Sequence, residues 1–120
     1  DYEGFCGTKT RSLPFREIRP SEYVARKRGG WDPLLIDTRN DIEAGIVTLP
    51  GTDALIPHMD ILMANLPKDR DIVCYCRSGD RSGMAAYALV QSGYDEARLY
   101  NLAGGIHAWH VEVDASVPKY

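Results

Sequence analysis

The chain has 120 residues, 44% of them apolar, with 14 basic and 17 acidic side chains for a formal charge of −3. That length fits one globular domain and excludes a second full one. The apolar runs are too short for a membrane-spanning helix, and the charge is too mild for a nucleic-acid surface.

In chain order, an irregular opening without the basic start and apolar core of a secretory leader gives way to a short strand ending at Ile18. "RPSEYVARKRGG" predicts a helix: Pro20 precedes Ser21, which can cap it, Glu22 falls in the first turn, and Gly29 and Gly30 stop it. The basic cluster Arg26, Lys27, Arg28 is expected to be its solvated end. "PLLID" is a strand ending at Asp37, and the turn-rich segment after it predicts one helical turn near Glu43 and a short strand around Ala54 to Ile56. His58 to Leu66 carries Ile61, Leu62, Ala64 and Leu66 in a helical pattern that stops before Pro67.

"DIVCYC" is then a strand, "SGMAAYALVQSGY" a helix closed by Gly93, "ARLYNL" a last strand, and "GGIHAWHVEV" a final helix before a tail containing proline. Strands alternating with helices imply an α/β fold, a single mostly parallel sheet flanked by helices on both faces. In such sheets the working crevice lies beyond the carboxyl ends of the strands, where Asp37 to Arg39, Cys76 to Arg81 and Asn101 to Gly105 all fall.

The three cysteines are Cys6, Cys74 and Cys76, an odd set whose last two members are too close along one strand to bridge. A reducing, cytoplasmic compartment is the expectation. Zinc is not expected, because a lone C-x-C with His107 and His110 lacks the paired-ligand spacing.

Between Cys76 at the strand end and Ser82, expected to start the next helix, lie Arg77, Ser78, Gly79, Asp80 and Arg81. A loop this short, with glycine at its middle, curls its backbone so that N–H groups converge into an anion cradle at the positive end of a helix. With Cys76 Sγ at the centre, the expected nucleophile is the thiolate. Cys74, on the same strand face but short of the loop, is expected to be core. Arg81 is the better candidate for a clamp on loop carbonyls or an acidic partner, and Arg77 for facing an anionic substrate; Asp80 can pair with either. A cysteine phosphatase would carry five residues between cysteine and arginine. Here there are four, which favours enclosing one sulfur atom over a phosphoryl group. A thioredoxin-like site would need a cysteine where Gly79 stands.

"LIDTR" at 35–39, "LPGT" at 49–52, "CRSGDRS" at 76–82 and "NLAGGIHAW" at 101–109, in that order, resemble a rhodanese-like sulfurtransferase domain over residues 18–120. The resemblance implies Cys76 as persulfide carrier, residues 77–81 as the cradle, Asp37 and Arg39 as a supporting pair, Glu43 as a common acidic position, Gly104 and Gly105 as a diglycine allowing close approach beside the loop, and Trp109 as core. Thr48 departs from relatives with histidine or arginine at that place. Asp80 adds a negative charge that opposes simple capture of thiosulfate unless an arginine neutralises it.

The opening "DYEGFCG" and closing "AWHVEVDASVPKY" resemble the flanks of rhodanese domains fused behind an adenylating domain, which makes residues 1–17 a linker or the tail of such a domain. The implied function is transfer of a sulfane sulfur from thiosulfate or a protein persulfide, through Cys76, to a nucleophilic acceptor. The implied acceptor is a ubiquitin-like sulfur-carrier protein activated as acyl-adenylate by an adenylating domain in cis or in trans, for molybdopterin, thiamine or tRNA thiolation. No metal, organic cofactor, nucleic acid or membrane is required. The alternatives are a non-catalytic persulfide- or redox-sensing or interaction domain and, further off, a cysteine phosphatase.

Overall fold

The computed structural model describes residues 14–120, so Cys6 and the opening segment lie outside the described residues. Five strands form one sheet: β1 (Arg16–Ile18), β2 (Leu34–Asp37), β3 (Ala54–Leu55), β4 (Ile72–Tyr75) and β5 (Leu99–Leu102). Their order is β1-β5-β4-β2-β3, and every pairing is parallel. The connecting helices are α1 (Pro20–Arg28), α2 (Asp41–Ile46), α3 (Asp80–Gln91) and α4 (Gly105–Glu112), with 3-10 segments at His58–Met63 and Glu96–Arg98.

The central strand β4 reads as an unbroken apolar run because both faces of the sheet are covered, and all four of its residues are buried. Alternation divides them. Val73 and Tyr75 join Tyr23, Leu35, Ile106 and Trp109 on the face covered by α1 and α4. Ile72 and Cys74 join Ile36, Ile61, Ala85 and Leu89 on the face covered by α3 and the His58–Met63 segment. Cys74 is therefore a core side chain, its thiol pushed up to about 12 by burial and, secondarily, by the nearby Cys76.

Several local expectations are corrected. Strand β4 stops at Tyr75, leaving Cys76 in the loop, and the next helix begins at Asp80, two residues before Ser82, because Gly79 adopts φ +105° and becomes the N-cap. Ser21 does not cap α1: Arg19 is the N-cap, Pro20 opens the helix, and Ser21 donates from N and Oγ to Glu112 at 3.2 and 3.0 Å. Around Glu43 the single expected turn is the helix α2, started by a capping box between Asn40 and Glu43. His58 to Leu66 tightens into the shorter 3-10 segment, and β3 ends one residue early, at Leu55. Arg26 lies over the Trp31 ring at 4.0 Å, so the basic end of α1 is partly packed. Among the described residues, no helix is long and apolar enough to cross a membrane.

Candidate active site

β4 delivers Cys76 to the carboxyl edge of the sheet, and α3 leaves from the same point. Between them the loop curls around the sulfur. Gly79 N–H lies 3.1 Å from Cys76 Sγ, Ser82 N–H 3.5 Å and Ser82 Oγ 3.4 Å. The first-turn N–H groups of α3 have no intrahelical partners, so the sulfur rests at the positive end of a helix. Only 1% of Cys76 is exposed.

The N-terminus of α4 braces the loop from outside. Ile106 N–H donates to the Cys76 carbonyl at 3.0 Å and His107 N–H to the Arg77 carbonyl at 3.1 Å. This approach requires glycine at position 105: its φ is +55°, and an added Cβ would overlap the Cys76 carbonyl oxygen. Gly104, the N-cap of α4, lies against Gly79, where a Cβ would come within 3.2 Å of the Gly104 nitrogen. The diglycine and the middle of the loop are thus one packed unit.

The arginines divide sharply. Arg81 forks onto Glu43 at 2.6 and 2.7 Å, which ties α3 to α2 across the site. Glu43 also accepts from Tyr120 OH at 2.9 Å. Its carboxyl is held down at about 2, first by the Arg81 hydrogen bonds and then, against the opposing effect of burial, by Tyr120. Arg39 is fully buried and forks onto Asp37 at 2.8 and 2.6 Å. Its remaining N–H groups reach the Glu43 carbonyl, the Val47 carbonyl and Tyr120 OH, so all five guanidinium donors are used. Asp37 and Arg39 are thus brought together as a buried pair at the end of β2.

Arg77 is exposed. Its Nε donates to His107 Nε2 at 3.2 Å and its guanidinium lies 5.2 Å from the Tyr120 ring centre. Ser78 and Asp80 are also exposed. Among the described residues, no ion pair joins Asp80 to Arg77 or Arg81, since Arg81 is engaged by Glu43.

In the sequence reading Tyr120 and His107 have no role in the site, Asn101 is placed in a crevice stretch without a role of its own, and Ser82 is only a helix start. Tyr120 comes from a tail pinned by Val117, which is in the core and whose carbonyl is bonded by His110 Nδ1 at 2.7 Å. No spacing signal links it to Arg39, 81 residues away. A signal did exist for Asn101: a polar amide in a strand otherwise reading "LY-L" must find partners when buried, and it lies at 2% exposure. Among the described residues no group of three His, Cys, Asp or Glu side chains is placed to hold a metal ion.

Comparisons with known proteins bear on the family and the fold. The rhodanese-like domain family matches residues 20–112. A "Sulfurtransferase" of Allochromatium vinosum is 47% identical over 94 residues, 78% of this chain and 86% of that protein. The "Probable adenylyltransferase/sulfurtransferase MoeZ" of Mycobacterium tuberculosis is 34% identical across all of this chain, which spans only 32% of that protein's length. Among solved structures, a rhodanese-like domain protein from Staphylococcus aureus superposes with a TM-score of 0.69 at 26% identity, over 79% of this chain and 91% of that one.

The chain belongs to the rhodanese-like domain family. Its activity is that of a rhodanese-type sulfurtransferase, chemistry that runs through a cysteine persulfide.

Proposed function

We propose that Cys76 is the sulfur carrier and that residues 77–81 are its cradle. The observation that carries this is the enclosure of Cys76 Sγ by the Gly79 and Ser82 N–H groups at the start of α3. The Cys76 thiolate attacks the outer sulfur of thiosulfate or of a donor protein's persulfide. A new S–S bond forms, the donor's S–S bond breaks, and its electron pair leaves on sulfite or on the donor thiolate. The negative charge that moves onto the terminal sulfur then lies among fixed N–H dipoles, which need no reorganisation. Arg77 guides the anionic donor, and Asp37, Arg39, Gly104 and Gly105 hold the loop's shape.

The acceptor in this reading is the C-terminus of a ubiquitin-like sulfur-carrier protein, activated as acyl-adenylate by an adenylating domain in cis or in trans. The persulfide's terminal sulfur attacks the carbonyl carbon and AMP departs. A second thiol then cleaves the resulting acyl disulfide, freeing the thiocarboxylate and leaving a disulfide on Cys76. The full-length match to one third of an adenylyltransferase/sulfurtransferase supports this acceptor, and with it residues 1–17 as the tail of an adenylating domain and service to molybdopterin, thiamine or tRNA thiolation. The test is intact-protein mass after incubation with thiosulfate. One added sulfur on Cys76, removed by cyanide and absent from Cys76→Ala, is expected; an unchanged mass, or equal loading of the variant, would sink the assignment.

A further inference from the structure

Buried behind the sulfur is a polar relay that sulfur capture by the cradle does not use. Ser82 is fully buried, and its hydroxyl faces three acceptors at once: Cys76 Sγ at 3.4 Å, the Gly79 carbonyl at 3.2 Å and Asn101 Oδ1 at 2.5 Å. A serine hydroxyl has one hydrogen to give. The Gly79 carbonyl is already served by Asn101 Nδ2 at 3.1 Å and Gly83 N–H at 3.0 Å. Asn101 cannot be turned over, because its other end faces both that carbonyl and the Glu17 carboxylate, the latter at 3.1 Å, and only an NH2 group satisfies two acceptors. Its oxygen therefore faces Ser82. Two acceptors, Asn101 Oδ1 and the sulfur, compete for a single hydrogen.

We propose that this hydrogen is a switch keyed to the charge on Cys76. While Sγ is uncharged, as thiol or as the inner sulfur of a persulfide, the hydrogen stays on Asn101. When Sγ is a thiolate, as nucleophile or as leaving group, the hydroxyl turns onto it, because a hydrogen bond to an anion outweighs one to a neutral amide oxygen. No proton leaves Ser82; the hydroxyl only rotates. Ser82 thus acts on the reacting atom as a catalytic residue, and Asn101 is a positioning residue that works through it. The stabilisation comes at the moment Sγ carries charge, above all when it departs from the sulfur it hands on.

This inference rests on Cys76 as sulfur carrier, and the experiment keeps the two apart. Wild type, Ser82→Ala, Asn101→Ala and the double variant are loaded with thiosulfate, loading is verified by mass, and discharge to cyanide is followed in a single turnover. Far-UV circular dichroism and thermal melting verify that each variant is folded. Ser82→Ala is expected to load but discharge on the order of tenfold more slowly, the loss of one hydrogen bond to a charged group. Asn101→Ala is expected to change the discharge rate in the Ser82 background and to have no further effect once Ser82 is alanine, which an independent packing role would not produce. The switch is overturned if Ser82→Ala discharges within twofold of wild type, or if the Asn101→Ala effect is the same in both backgrounds. Failure of wild type to load would instead overturn the carrier assignment.

Discussion

The two sides of the Cys76 loop follow opposite electrostatic plans. On the inner side Asp37, Arg39, Glu43 and Arg81 are each paired by forked hydrogen bonds, with Tyr120 OH joining the two pairs. On the outer lip, among the described residues, the Arg77 side chain is held only by a histidine nitrogen and an aromatic ring, and Asp80 carries no ion pair. Paired charges fix a shape and cancel each other's field, whereas unpaired ones leave a field for an arriving ion. Under the proposed function, the inner side is scaffold and the lip is the part that meets substrate.

The comparison breaks first at Arg39. Replacing it with methionine keeps much of the volume but leaves Asp37 buried and unpaired and removes five donors from their acceptors. The expected loss is about 3–5 kcal/mol, a large share of a typical domain's stability. Urea unfolding reads it as a lower midpoint. A loss under about 1 kcal/mol would mean the pair is not what holds this side of the loop.

Glu43 tests the same side with pH. Its carboxyl is held at about 2, below the 4.5 of a free side chain. A lowered value stabilises the fold fully above 4.5, and that contribution fades as pH falls towards 2. Glu43→Gln is expected to cost about 1–2 kcal/mol at neutral pH, since the pair is partly open to solvent and screened. The difference from wild type should shrink on acidification through that window. A difference that stays constant with pH would assign the effect to packing.

How much of this was legible in sequence depended on distance along the chain. The order of strands and helices and the position of Cys76 follow from local apolar runs and turn residues, and all of these were readable. Asp37 and Arg39, two residues apart at a strand end, are a pair that the family resemblance implies, while their spacing alone leaves open whether they pair or brace neighbouring loops. The Glu43–Arg81 fork spans 38 residues and joins elements that meet only when β2 and β4 align, so its partner could be anticipated in kind but not by number. Tyr120 is more distant still, and a tail residue carries no periodicity. The two-residue error at the start of α3 has a different origin. Gly79 reads as a loop glycine, yet its left-handed conformation makes it the helix cap and moves Arg81 into the first turn, where it can reach Glu43.

The smallest structural effect, and the sharpest functional one, belongs to the lip. Arg77→Ala removes an exposed side chain with no carboxylate partner, so stability is expected to change by no more than about 0.5 kcal/mol. Michaelis constants are a different matter: the value for thiosulfate is expected to rise about tenfold, roughly 1.4 kcal/mol of lost attraction, with kcat little changed, because the guanidinium attracts the donor before and during reaction alike. Asp80→Asn removes the opposing charge and should lower the same constant by about two- to threefold, and both shifts should shrink in high salt as the lip's field is screened. Steady-state kinetics at two ionic strengths reads all of this. If Arg77→Ala instead destabilises the fold as Arg39→Met does, or leaves the thiosulfate constant in place, the lip is scaffold too and the division between the two sides fails.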